Sequence, residues 1–308
     1  MFWGDKRYRS LNYELRNIFG TKTIKLSLDG GFTCPNRDGT VGNRGCIFCG
    51  EEGAGEFTSS KKLSIKEQIE SQKEFLSKKW PKGKYIAYFQ NFTNTYSTYE
   101  DLNRKYMDAI SQDGVVGLAI ATRPDCLLEE VLNLLEKFNE KVFLWVELGL
   151  QTIHSKTTKF IRRGYELDCY ERAITELNRR NIKVVTHLIF GFSNENREDM
   201  LNSVKYIANT NTWGVKFHNL YVQKGTDLCD YYVKNPFYIL SQDEYISLVV
   251  DSIELLPQNM VIHRLTGDGK KELLIEPRWT LNKLKVLSGI DKELKERNTY
   301  QGKRFKLF

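Results

Sequence analysis

The alternation of short β-rich runs with helical patterns constrains this chain more than any other feature of its sequence. The runs lie at residues 23–28, 85–89, 116–121, 142–148, 183–189 and 215–220, and apolar residues at helical spacing separate most of them. Ser64 followed by Glu67 is a capping box that opens a helix running to residue 80, and Thr98 with Asp101 opens the next. Further helices are expected at 127–138, 167–180 and 196–209. Strands separated by helices in series imply an α/β fold with a parallel sheet and helical crossovers. An open sheet shares that pattern, but six units over residues 23–220 suit a partial, TIM-like (β/α)6 barrel. On this reading residues 1–221 form the barrel with a basic N-terminal segment. Residues 222–308 form an appended basic C-terminal region packed on it, with a helix at 241–256, a strand at 261–264 and a charged helix at 282–297.

No stretch is long and apolar enough to span a membrane, and the first residues lack the apolar core of a signal peptide. The expected compartment is the cytoplasm, where thiols stay reduced, so the six cysteines call for something other than disulfides. The net charge of +7 is unevenly spread: residues 1–25 balance at +4, residues 258–308 at +6, and the long middle at −3. Basic ends on a near-neutral body fit either a merely soluble protein or one with a polyanionic partner.

The strongest local signal is the run from Cys34 to Cys49, which follows the first strand. Cys46 and Cys49 are two residues apart, and eleven residues separate Cys34 from Cys46. Two thiolates at that short spacing can grip one metal centre, and a third brought back by a glycine-containing loop completes a three-point clamp. Closed zinc and ferredoxin-type sites use four ligands. No fourth Cys or His follows in ligand spacing, and Cys126, Cys169 and Cys229 each stand alone. A three-ligand cluster leaves one iron open; a zinc site completed by a distant His is the alternative.

At this point the sequence resembles the radical-SAM superfamily, whose hallmark is three cysteines after the first barrel strand. The long first gap departs from the usual motif. It is similar instead to a branch that includes the Elongator catalytic subunit and the YtqA/YhcC-type proteins. The resemblance covers nearly the whole chain and is carried by Thr122-Arg123-Pro124-Asp125, Glu147-Leu148-Gly149-Leu150-Gln151-Thr152, His187-Leu188-Ile189-Phe190-Gly191, Lys216-Phe217-His218 and His263-Arg264-Leu265-Thr266-Gly267-Asp268. The first four segments fall at or just beyond strand ends, where β/α barrels build their active sites.

The resemblance implies a radical-SAM barrel in which Cys34, Cys46 and Cys49 hold a [4Fe–4S] cluster and its fourth iron takes S-adenosylmethionine (SAM). It places Glu147 and Gln151 on the cofactor, Arg162 or Arg163 on the methionine carboxylate, Gln90 and Asn91 near the methionine amino group, and Gly191 near the adenine. It further implies reductive cleavage to a 5′-deoxyadenosyl radical, with electrons from a donor such as flavodoxin or ferredoxin. The branch is connected with tRNA wobble-uridine modification, specifically conversion of 5-carboxymethylaminomethyl-uridine to 5-aminomethyl-uridine, with His187 and His218 as candidates to manage protons. Basic ends fit tRNA, and Phe2, Trp3, Tyr8 and Tyr13 can stack on bases or fill a core. A radical-SAM enzyme acting on a small metabolite, and a zinc-dependent RNA-binding module without catalysis, remain the other readings of the residues.

Overall fold

A computed structural model describes residues 2–51, 53 and 61–306. Seven strands form one wholly parallel sheet in the order β1 (Thr23–Leu28), β2 (Lys84–Phe89), β3 (Val115–Thr122), β4 (Phe143–Gln151), β5 (Lys183–Phe190), β6 (Gly214–Asn219) and β8 (Val261–Arg264). A two-stranded antiparallel ribbon, β7 (Val222–Gln223) with β9 (Leu274–Glu276), lies beside it. The helices are α1 (Leu11–Phe19), α2 (Ile65–Ser77), α3 (Tyr99–Ile110), α4 (Glu129–Asn139), α5 (Ser155–Phe160), α6 (Leu167–Arg179), α7 (Arg197–Ala208), α8 (Asp227–Lys234), α9 (Gln242–Leu255) and α10 (Lys283–Glu296).

The six expected strands are present in their expected order. The sheet then gains β8 from the region read as appended: its short run pairs in parallel with β6, and α9 is the crossover between them. The outer edge of β8 is lined by the N-terminal segment, where Ile262 N–H donates to the Arg9 carbonyl at 2.8 Å. The sheet is therefore a curled partial barrel, without pairing between β8 and β1.

Side-chain alternation sorts the strands into two faces. Leu26, Leu28, Phe89, Leu118, Ile120, Val146, Leu148 and Phe217 point outward into the main core under the helices. The inward face begins apolar, where Leu11 and Leu15 of α1 plug the lower barrel against Ile86, Ala119, Trp145, Val185 and Val261. Ser10 caps α1, and Gly20, at φ 72°, ends it in the left-handed region that favours glycine. The expected capping box on α2 is present, with Ser64 and Glu67 bonding reciprocally. Above the plug the inward positions turn polar, with Lys25, Tyr88, Glu147, His187, Lys216 and His218. Among the described residues no helix is long and apolar enough to cross a membrane.

Candidate active site

The loop after β1 is folded by its own backbone. Arg37 N–H donates to the Cys34 carbonyl at 2.8 Å, Gly45 N–H to Asn36 at 2.6 Å, and Cys49 N–H to Cys46 at 3.0 Å. Gly42 is required, because a Cβ there would stand 2.5 Å from Asn36 Oδ1. The loop is pinned to its surroundings by Ile47 N–H on the Ile161 carbonyl and Leu228 N–H on that of Ile47. Arg37 Nη2 closes it by donating to the carbonyls of Cys49 (3.0 Å) and Gly50 (2.6 Å).

This folding brings Cys34, Cys46 and Cys49 onto one cavity of about 170 Å³, although eleven residues separate the first two. None is in a disulfide. Asn36 Nδ2 lies 3.6 Å from Cys46 Sγ and also donates to the Arg162 carbonyl at 2.6 Å. A hydrogen bond from Cys49 draws the Cys46 thiol down to about 7, while the same bond and burial hold Cys49 up. The guanidinium groups of Arg37 and Arg123 line the same cavity. Three thiols with several cationic side chains around one space, and an amide donor beside one thiol, fit an anionic iron–sulfur cluster. Among the described residues no three His, Cys, Asp or Glu side chains converge as a single metal ion would need. Cys126, Cys169 and Cys229 do not line the cavity.

Gln151 and Gln90 sit at the junction between this cavity and a second one, of about 420 Å³, that runs into the barrel. Gln151 has φ 61°, in the left-handed region, at a bulge where β4 shifts register against β5. A Cβ on Gly149 would lie 2.4 Å from Gln151 Nε2, so the glycine makes room for that amide.

Glu147 and Arg163 also line the thiol cavity, whereas Arg162, Asn91 and Gly191 line neither cavity. Glu147 has no exposed side-chain surface. Its carboxylate accepts from Trp145 Nε1 (2.9 Å), Tyr88 Oη (2.8 Å), His187 Nε2 (2.9 Å) and Lys216 Nζ. Those four donors saturate it at the barrel's inner layer, because its side chain points inward below the end of β4. Arg163 is also buried; it donates to the carbonyls of Leu150 (2.6 Å), Thr152 (2.9 Å) and Tyr165 (3.0 Å), bracing the β4–α5 turn. Arg162 is ion-paired with Asp227 at 2.5 Å. Asn91 Nδ2 is tied to Asp29 at 2.7 Å, and its side chain lines neither cavity. Gly191, at φ 103°, faces Leu240 and Leu220 and also lies outside both linings.

His187 and His218 do come together, with ring centroids 5.6 Å apart and stacked. Burial, helped by Lys216, lowers His187 to about 4, and burial likewise lowers His218. Both imidazoles are therefore neutral near pH 7. Lys25, Tyr88, Trp145 and Arg264 were not singled out for roles by sequence. Lys25 stands between Thr23 and Ser27 at the polar inward positions of β1.

Trp3 and Tyr8 are buried and fill core positions, whereas Phe2 is 62% exposed under Arg7. The charged ends are partly neutralised: Lys6 pairs with Asp291 at 2.5 Å, Arg9 with Glu14 at 2.7 Å, and Arg304 with Glu254 at 3.1 Å.

Residues 38–207 match the family model described as the radical SAM superfamily, and residues 212–296 match the radical SAM C-terminal domain. The chain is 46% identical over 301 residues to the uncharacterized protein YtqA of Bacillus subtilis, covering 98% of this chain and 94% of that protein. It is 25% identical over 164 residues to a tRNA uridine(34) acetyltransferase of Methanocaldococcus jannaschii, covering 52% of this chain and 30% of that one. The solved structure of the archaeal Methanocaldococcus infernus Elp3 superposes with a TM-score of 0.69 at 19% identity, over 91% of this chain and 64% of that one; this likeness is one of fold.

Proposed function

The chain belongs to the radical SAM superfamily, as an enzyme that binds a [4Fe–4S] cluster and S-adenosylmethionine and requires a reductant, and from that premise we propose that it acts on a tRNA wobble uridine. The proposed reaction converts 5-carboxymethylaminomethyl-uridine to 5-aminomethyl-uridine. The observation that carries it is the stacking of the cysteine loop directly above a deep polar lumen, which suits a small side arm reaching down from a larger substrate. Similarity to a protein named for tRNA uridine(34) points to the class of that larger substrate.

Cys34, Cys46 and Cys49 would hold the cluster, and Gln90 and Gln151 would orient the cofactor's polar groups. Bound there, the cluster and SAM supply one-electron chemistry able to remove hydrogen from an unactivated carbon. Phe48, 6.4 Å from Phe192 by ring centroids, helps keep water from that space. The CH₂ between the amine and the carboxylate of the side arm is the favourable carbon, because a radical there is stabilised from both sides. Loss of one hydrogen atom from this carbon to the SAM-derived radical, then of one further electron, for which the oxidised cluster would be the acceptor, and of the amine proton would give an imine. Addition of one water splits it into the aminomethyl nucleoside and glyoxylate. His187 Nε2 donates to Glu147, which leaves Nδ1 of the neutral ring as an acceptor for a released proton.

The reading includes a cytoplasmic location and a small electron donor such as flavodoxin or ferredoxin. Mass spectrometry of tRNA nucleosides from cells with and without the gene tests it. Accumulation of the carboxymethylaminomethyl form without the gene supports the reading; unchanged wobble nucleosides would remove this substrate.

A further inference from the structure

We infer that the barrel lumen is a carboxylate-binding pocket in which Lys25, assisted by Arg264, holds the acidic end of the substrate's side arm. The inference rests on the reading above and assigns its specificity to residues.

Four cationic side chains line the lumen: Lys25, Lys216, Arg264 and Lys283. Two carboxylates oppose them. Glu147 is committed to Lys216 and three neutral donors. Asp268 is shared by Arg264 (2.5 Å) and Lys283 (2.7 Å). Among the described residues, no carboxylate lies within 4.0 Å of Lys25.

Lys25 and Lys216 come from strands far apart in the sheet, β1 at one edge and β6 next to the other, yet both ammonium nitrogens lie 4.6 Å from the centroid of the Tyr88 ring. The Tyr88 face offers Lys25 only a cation–π contact. Burial lowers its pKa, and the opposing pull of Glu147, which is not within ion-pair distance, does not offset it. An ammonium desolvated without a counter-ion is costly, and an incoming anion relieves that cost. Other lumen groups are unsatisfied in the same space: among the described residues, His218 Nε2 and both ring nitrogens of His263 have no hydrogen-bond partner. Lys25 lines only this cavity of about 420 Å³, whereas Cys49, Lys216 and Arg264 line both it and the thiol cavity. An arm whose carboxylate reaches Lys25 leaves its preceding carbon nearer the cysteine loop, where the chemistry occurs. A neutral or aminomethyl arm has nothing for Lys25 to hold, so the product is released once the carboxylate has left.

The test measures binding of anticodon stem-loops to the anaerobic, cluster-loaded protein with SAM present. One loop carries carboxymethylaminomethyl-uridine, one its methyl ester and one aminomethyl-uridine. The wild-type protein is expected to prefer the acid by about 10- to 100-fold, the range for a hydrogen bond to a charged group. Lys25→Met should abolish the preference and Lys25→Arg should retain it, with cluster content as the control for folding. A preference surviving in Lys25→Met overturns the inference. So does an equal loss for all three loops, which marks a general RNA contact, or a loss of SAM affinity alone, which reassigns the ammonium to the cofactor. A second arm uses N-methylglycine and its methyl ester as minimal probes of thermal stability. Protection by the acid in wild type but not in Lys25→Met supports the pocket even if no tRNA is converted, whereas conversion with no dependence on Lys25 sinks the pocket and leaves the reaction standing.

Discussion

The ammonium of Lys216 on β6 reaches across the barrel to the carboxylate of Glu147 on β4, with their side chains 3% and 0% exposed. A buried pair of this kind adds little net stability, but breaking it leaves a charge uncompensated. Lys216→Met and Glu147→Gln should each lower unfolding stability in urea by about 3–5 kcal/mol. The double variant should recover most of that loss. A double variant no better than the worse single one would show that the two charges do not compensate each other.

The lumen histidines set a pH dependence. His187 is lowered to about 4, first by burial and then by Lys216 and Lys25, against the opposing pull of Glu147. Burial also leads the lowering of His218, which faces Arg264, His187, Lys216 and Glu147, and of His263, which faces Glu147, Lys25, Lys216 and His187. Each folded pKa lies below the unfolded one, so in that window the unfolded chain binds more protons and stability falls as pH falls. For His187 the window runs from the ordinary value of 6.5 down to about 4. The slope should reach about 1.4 kcal/mol per pH unit for each such histidine. The buried lysines, also lowered, tilt the curve the same way at higher pH. Comparing urea unfolding of wild type with His187→Gln therefore isolates one histidine, and the variant should have the shallower slope in the acid window. Parallel curves would contradict the assignment.

How much of this was legible in the sequence differs by layer. The strands announced themselves through outward apolar residues, and the cysteine triplet through its spacing. The strand at 261–264 is legible as a strand but not as the seventh of the sheet, because its four residues gain that place only by pairing with β6. Sequence places Glu147 and Arg163 near a strand end, and both line the thiol cavity. Whether a side chain stops at the wall or enters the cavity depends on the bulge at Gly149–Gln151 and on partners from β2, β5 and β6. Lys25 was counted with the basic N-terminal segment, yet it lies inside the barrel. Nothing local distinguishes an inward strand lysine from an edge one.

The cysteines should separate into two groups. Replacing Cys34, Cys46 or Cys49 with Ala should abolish the brown cluster and reductive cleavage of SAM. Replacing Cys126, buried beside Asp125, or Cys169 or Cys229 should leave iron and sulfide content nearly unchanged. Full iron loading in Cys46→Ala would contradict the three-thiol site.

The basic tail should divide between stability and binding. Arg304 already pairs with Glu254 at 3.1 Å, so Arg304→Gln should cost stability more than affinity. Lys303 and Lys306 are exposed. If they meet RNA phosphates, each neutralisation should flatten the slope of log K against log salt by about 0.7–0.9. An unaltered slope in Lys303→Gln/Lys306→Gln would assign the tail to solvent.

The most direct measurement is an anaerobic reaction of the reduced, cluster-loaded protein with SAM and tRNA bearing 5-carboxymethylaminomethyl-uridine. The expected result is that 5′-deoxyadenosine, 5-aminomethyl-uridine and glyoxylate rise together. Formation of 5′-deoxyadenosine with an unchanged wobble nucleoside would leave a radical SAM enzyme and contradict this substrate.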